Sequence, residues 1–148
     1  SVIESLFHAG RFRAEENRVF DNAMRLLSMF RLEGYAHELA GVLPYGLQRR
    51  LEIARAMATT PRLLLLDEPA AGMNPNEIDE LMSLIRWIRD EFSVTILLIE
   101  HQMQLVMGLC ERLHVLDFGV TIAEGRPEEI RNNPKVLEAY LGVPEVVK

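Results

Sequence analysis

Two carboxylates at the end of an apolar run are the first residues in this sequence that could do chemistry. The stretch "LLLLDEP" covers residues 63–69. A buried strand ending in Asp67 and Glu68 would deliver both acids to the carboxyl edge of a parallel sheet, where ligands bind in open α/β folds. Asp67 could hold Mg²⁺ through water, and Glu68 could orient or deprotonate an attacking water. Acids also follow buried strands simply because the chain returns to solvent there, so the pair alone does not define a site. His101 comes after the next apolar run, residues 94–99, and should emerge at the same sheet edge. An imidazole there can donate to a phosphoryl oxygen and stabilise developing charge. His8, His37 and His114 have no comparable position and read as surface histidines. A third feature is Pro44-Tyr45-Gly46 at the start of a helical stretch reaching Ala58. The free amides and positive dipole end of a helix start can hold an anion, Gly46 permits close approach, and Pro44 suits a first turn. Arg49, Arg50 and Arg55 read as a solvated face or as partners of Glu52.

The elements that must position these residues follow from apolar periodicity. Residues 15–32 place Val19, Phe20, Ala23, Met24, Leu27 and Phe30 at steps of three and four, which predicts an amphipathic helix after a shorter one at residues 2–8. The helix from residue 47 puts Leu51, Ala54 and Ala58 on one face and stops at Thr59-Thr60-Pro61. Residues 63–66 and 94–99 are short continuous apolar runs, the pattern of strands buried on both faces. Between them, Asn74-Pro75-Asn76-Glu77 is a helix start with cap, Pro and a reciprocal acid, followed by a stripe of Ile78, Leu81, Met82, Ile85 and Ile88. Strand, helix, strand is a βαβ unit. A helix through Met103, Val106, Met107 and Cys110 leads to two strands, residues 113–116 and 120–123, joined at Asp117-Phe118-Gly119 as a hairpin. Two Pro-led helical turns, at Pro127 and Pro134, complete the chain, with Gly142 as the stop of the second.

Composition narrows the function classes. With 148 residues, 49% of them apolar, the chain fits one compact domain with a real core. A net charge of −6 opposes a nucleic-acid face, which needs clustered Lys and Arg. No apolar run approaches the roughly 20 residues of a membrane span. The single cysteine, Cys110, excludes an internal disulfide and reads as an apolar filler on a helix face, in keeping with a reducing compartment. The first residue is Ser, with no leader pattern, so the chain is expected to begin within a longer protein.

Taken in order, the Gly-bearing helix start, "LLLLDEP", Ala71-Gly72-Met73-Asn74 and His101 resemble the ATP-binding-cassette ATPases over essentially the whole chain. Residues 43–48 resemble that family's signature motif, residues 66–69 the end of its Walker B strand with the catalytic glutamate, residues 71–74 its D-loop, and His101 its switch histidine. "LDEPAAGMNP", "LLIEHQMQLVMG" and "AEGRPEEIRNNPKVLEAYLG" look most like the ATP-binding subunits of bacterial branched-chain amino acid importers, with lipopolysaccharide-export ATPases as cousins ranked second. The resemblance implies an α/β fold of the P-loop NTPase type. Its parts would be a helical signature subdomain at residues 1–60, part of the RecA-like ATPase core at 61–126, and a helical tail at 127–148.

It also implies roles. ATP and Mg²⁺ are the cofactors. Glu68 polarises the water, His101 contacts the γ-phosphate and Asp67 supports Mg²⁺. Leu43, Pro44, Tyr45, Gly46, Leu47 and Gln48, with Asn74, face ATP at the junction with a second ATPase subunit, identical or not. Membrane-spanning permease subunits couple to that dimer on the inner, cytoplasmic face of the cell membrane, with a periplasmic binding protein acting indirectly.

The sequence departs from the family pattern at Pro44, Tyr45 and Leu47, where serine, glycine and glutamine are usual, and at Asn74 and Gln102, where acids are. No G-x-x-x-x-G-K-S/T phosphate loop occurs in these residues. By resemblance, the strand that carries that loop lies between residues 94–99 and 113–116. The expectation is an opened sheet whose gap is filled, by a second copy exchanging a strand for instance, or whose strands close up. The chain alone is then expected to hydrolyse ATP negligibly. The alternative from another class is a non-catalytic module that presents its signature helix to a complete partner.

Overall fold

A computed structural model describes residues 2–141 and, among side chains, residue 13 and residues 15–140. The chain divides into two compact units, with the division inside the first strand after Leu64.

The first unit is helical: α1 (Val2–Met29), two short 3-10 turns (Glu33–Tyr35 and Ala40–Val42) and α2 (Tyr45–Met57). Two helices were expected in place of α1. One runs straight through Gly10, because a single glycine costs about 1 kcal/mol whereas restarting a helix repeats the unfavourable nucleation step. Its expected apolar stripe is buried only at the end. Phe30 and Leu32 are 1% exposed, while Val19 and Phe20 stand more than half exposed. Arg31 ends the helix in the left-handed region, and the Leu32 amide closes it on the Leu27 carbonyl at 2.8 Å. In α2 the buried face is Ile53, Ala54 and Met57, not Leu51, Ala54 and Ala58. Ala58 has already left the helix as its cap, and Leu51 is only half-buried.

β1 (Leu63–Asp67) crosses the division, and the second unit continues with α3 (Pro75–Phe92), β2 (Thr95–Ile99), α4 (Met103–Leu109), β3 (Leu113–Asp117), β4 (Val120–Gly125), α5 (Pro127–Arg131) and α6 (Pro134–Leu141). Helix α3 follows the sequence closely. Ile78, Leu81, Met82, Ile85 and Ile88 are all buried. Asn74 and Glu77 form a reciprocal capping box, with the Glu77 amide donating to Asn74 Oδ1 at 3.1 Å and the Asn74 amide to Glu77 Oε2 at 2.8 Å. Asn74→Ala removes one acceptor from the helix start and is expected to lower stability by about 1 kcal/mol, read as a lower urea midpoint at unchanged slope. Helix α4 sits close against α3 at Gly108, whose carbonyl accepts from Arg86 Nη2 at 2.6 Å; an added Cβ would stand 2.6 Å from Met82 Cε.

Strands β1 and β2 are hydrogen-bonded neighbours. The Glu68 amide, just past β1, donates to the carbonyl of Ile99, the last residue of β2, at 2.9 Å, so the carboxyl ends lie side by side as parallel strands require. Burial on both faces was expected, and one face is open. Leu64 and Leu66 are buried and Ile96 and Leu98 half-buried, whereas Leu65, Leu97 and Ile99 are 57–64% exposed. The period-2 alternation of a strand puts these residues on opposite faces, and only one face meets the core.

Strands β3 and β4 pair antiparallel, with Asp117 opposite Val120 across a two-residue turn. Phe118 and Gly119 both take positive φ, 43° and 80°, the requirement of the turn type that matches strand twist. Leu113 of β3 packs with Ile130 and Val136 from α5 and α6, and Cys110 lies half-buried against that cluster. Burial pushes its thiol up from the ordinary value. The expected stop at Gly142 lies outside the described residues.

Among the described residues the strands form two separate two-stranded sheets, β1–β2 and β3–β4. The strands did not close up. A cleft of about 640 Å³ lies between β2 and β3, lined along one wall by residues 94–100 and along the other by Glu111, Arg112, Leu113, His114 and Leu116. The anchoring of Leu113 on Ile130 and Val136 holds β3 in place. Among the described residues no helix is long and apolar enough to cross a membrane.

Candidate functional site

The acids and the histidine are positioned by the ends of β1 and β2. Asp67 is the last residue of β1 and is exposed. Glu68 follows with φ 43°, a left-handed conformation that a non-glycine residue holds only where its surroundings impose it. That reversal turns its side chain, which the alternation of Leu64 and Leu66 would send inward, out to solvent, 55% exposed. The chain then passes through buried Pro69 and Ala70, closes a turn from the Ala71 amide to the Glu68 carbonyl at 3.1 Å, and reaches Gly72 at φ 75°.

His101 stands two residues beyond β2, its side chain 63% exposed. Its Nδ1 lies 3.6 Å from Glu68 Oε1 and 3.7 Å from Glu100 Oε2. Both separations exceed a hydrogen bond and become ion pairs when the imidazole is protonated. A carboxylate and an imidazole thus face one opening, at the joined carboxyl ends of two strands.

Glu100, which sequence reasoning passed over, has a side chain with no exposure at all. Its Oε1 accepts from the Ala70 amide at 3.0 Å, and its Oε2 accepts from the amides of His101 at 2.9 Å and Gln102 at 3.2 Å. The signal was present: alternation along β2 gives Glu100 the parity of the inward Ile96 and Leu98.

Asn74 spends its side-chain oxygen on the α3 cap. In the first unit, Pro44 stands at the N-cap of α2, one residue before the expected first turn, and its carbonyl accepts from the amides of Leu47 and Gln48 at 2.9 and 3.0 Å. Gln48 Nε2 turns back to the Leu43 carbonyl at 2.7 Å. Arg49 lies over the Tyr45 ring, 5.2 Å from its centroid, donates to the Tyr45 hydroxyl, and pairs with Glu52 at 2.7 Å. Tyr45 and Gly46 begin the helix, and Leu47 is half-buried within it.

Among the described residues no three His, Cys, Asp or Glu side chains gather as a metal cage. Mg²⁺ in phosphate-handling sites needs only one or two carboxylates, with phosphates and water completing its shell, and exposed Asp67 suits one such donor.

Comparison with known proteins defines the family of the chain. Residues 2–71 match the family model for "ABC transporter", and residues 120–146 match that for "Branched-chain amino acid ATP-binding cassette transporter". The fold is that of the ABC ATPases, α/β proteins of the P-loop NTPase class. A solved nucleotide-free ATP-binding cassette from an ABC transporter superposes with a TM-score of 0.77 at 33% identity, over 98% of this chain and 57% of that one. The chain belongs to the ATP-binding proteins of ABC transporters and is a homologue of the branched-chain amino acid transport ATPases. It is 49% identical over 142 residues to the high-affinity branched-chain amino acid transport ATP-binding protein BraF of Pseudomonas aeruginosa, covering 96% of this chain and 56% of the relative. The lipopolysaccharide export system ATP-binding protein LptB of Acidithiobacillus ferridurans is 42% identical over 106 residues, 72% of this chain and 42% of that protein. The chain thus spans about half the length of the curated relatives it matches.

Proposed function

We propose that this chain is part of an ATP-hydrolysing subunit that powers import of branched-chain amino acids. The observation that carries the reading is the Glu68 carboxylate 3.6 Å from the His101 ring at the joined ends of β1 and β2. Glu68 acts as the base that orients and deprotonates the attacking water, and His101 donates to the oxygen where charge develops. Asp67 would hold Mg²⁺ through water; when bound, the ion neutralises phosphate charge. Residues 43–48 and Asn74 face ATP across a junction with a second ATPase subunit, identical or different. In this reading residues 1–60 are the signature subdomain, 61–126 part of the RecA-like core and 127–148 the tail. The subunit works on the cytoplasmic side of the membrane with permease subunits, and with a periplasmic binding protein through them. A lipopolysaccharide-export role is the second reading, supported by the similarity to LptB; the importer-type match at residues 120–146 favours the first.

The test compares the 148-residue chain with the same chain fused behind a segment carrying G-x-x-x-x-G-K-S/T. Release of phosphate from ATP is expected from the fusion and not from the chain alone. Turnover by the chain alone that Glu68→Gln abolishes, or an inert fusion that nonetheless folds and binds ATP, overturns the reading.

A further inference from the structure

We propose that Glu100 is the positioning residue of the Glu68–His101 pair, a carboxylate strut that ties the backbone after β1 to the backbone after β2. A fully enclosed carboxylate is costly unless each oxygen finds donors. Here the donors are backbone amides from both segments. Oε1 takes Ala70, two residues beyond Glu68, while Oε2 takes His101 and Gln102. The two oxygens of one planar group therefore fix the spacing between the stretch that carries the base and the stretch that carries the imidazole.

The strut also explains how Glu68 keeps its left-handed backbone. That residue is pinned on its own side by its amide on the Ile99 carbonyl, at 2.9 Å, and beyond it by the Ala70 amide on Glu100. Strain of this kind persists only when the surroundings over-determine it. The second oxygen lies 3.7 Å from His101 Nδ1, so the imidazole nitrogen facing Glu68 faces Glu100 as well and is turned toward the pair of acids. Glutamine is isosteric but not equivalent. It replaces one acceptor by an NH₂ donor, which would point at an N–H.

The proposal rests on the ATPase reading only for what the pair does; the positioning itself is read in the chain without nucleotide, so the two can fail separately. Amide hydrogen exchange and imidazole ¹⁵N spectra are compared for the wild-type chain, Glu100→Gln, Glu100→Asp and the exposed control Glu91→Gln. In Glu100→Gln the Ala70 amide is expected to exchange roughly tenfold to a hundredfold faster, the change set by losing a charged hydrogen bond, while the amides of α3 keep their protection. The His101 ring signals are expected to move, because one of the two carboxylates within 3.7 Å of Nδ1 is replaced by an amide. Glu100→Asp keeps a carboxylate with a shorter reach; its His101 and Gln102 amides should stay protected while Ala70 loosens, and this variant carries the test if the glutamine does not fold. An Ala70 amide unchanged in Glu100→Asp, acceleration spread evenly over α3 and the hairpin, or His101 signals indifferent to Glu100→Gln would each overturn the assignment.

Discussion

Glu68→Gln, in the chain fused behind a phosphate-binding segment, is expected to lower the turnover number for ATP by about a hundredfold to ten-thousandfold and to leave the KM for ATP nearly unchanged. The conformation of Glu68 sets this expectation. Its φ of 43° throws a side chain of inward parity out to the strand-end opening, 3.6 Å from His101. The glutamine side chain fills the same space and can still hydrogen-bond water, but it accepts no proton, so the loss falls on the chemical step. In the proposed reading ATP binding depends on the phosphate loop and on Mg²⁺ held at Asp67, so it is expected to survive the substitution. His101→Ala should cost about a hundredfold to a thousandfold, the usual effect of removing one preorganised donor from a developing negative charge. Steady-state phosphate release with both variants decides the matter. A Glu68→Gln fusion that raises KM at unchanged turnover would place Glu68 in ground-state binding and remove it from the role of base.

What the sequence made legible was what short-range rules govern. The Asn74–Glu77 capping box, the five-residue stripe of α3 and the hairpin joined near Phe118-Gly119 each depend on residues within a turn or two of one another; each is found, the hairpin with Asp117 drawn into β3 and its joint shortened from three residues to two. Burial was less legible, because it depends on what lies opposite. The run at residues 63–66 looks the same whether one face or two are covered, and in the structure Leu65 stands 64% exposed while Leu64 is buried. The α1 stripe fails for the same reason at Val19 and Phe20. Within the site, the nearness of Glu68 and His101 could be anticipated from strand order, since both follow neighbouring strands. The left-handed turn at Glu68 and the amide clamp at Glu100 could not, because they are set by backbone geometry between segments about thirty residues apart. The parity of Glu100 along β2 was the one available sign, and it asks where a carboxylate aimed inward finds its donors.

The second large effect concerns the cleft between β2 and β3: at micromolar concentration the 148-residue chain is expected to sediment as a dimer or larger species, not at its monomer mass of 16.9 kDa. Among the described residues each of these strands has a neighbour on one side only. Natural edge strands are protected by charges, prolines or bulges, and Thr95-Ile96-Leu97-Leu98-Ile99 contains none of the first two. The adjoining open face adds Leu65, Leu97 and Ile99 as apolar surface, so a second copy would gain backbone hydrogen bonds where its strand pairs with the β2 edge and apolar burial where its body lies over that face. Leu97→Lys is the informative variant. Its position is 57% exposed, so the lysine head stays in water in the monomer and the helical circular dichroism should be retained, yet the charge would be trapped in any interface laid over that face. Return of the variant to monomer supports association through the β1–β2 sheet. A fusion that supplies its own strand to the cleft should likewise lose the association, because the edge that recruited a second copy is then paired. A wild-type chain that remains a monomer across the concentration range, with β2 and β3 amides exchanging as freely as loop amides, would show that these edges are satisfied by water and recruit nothing.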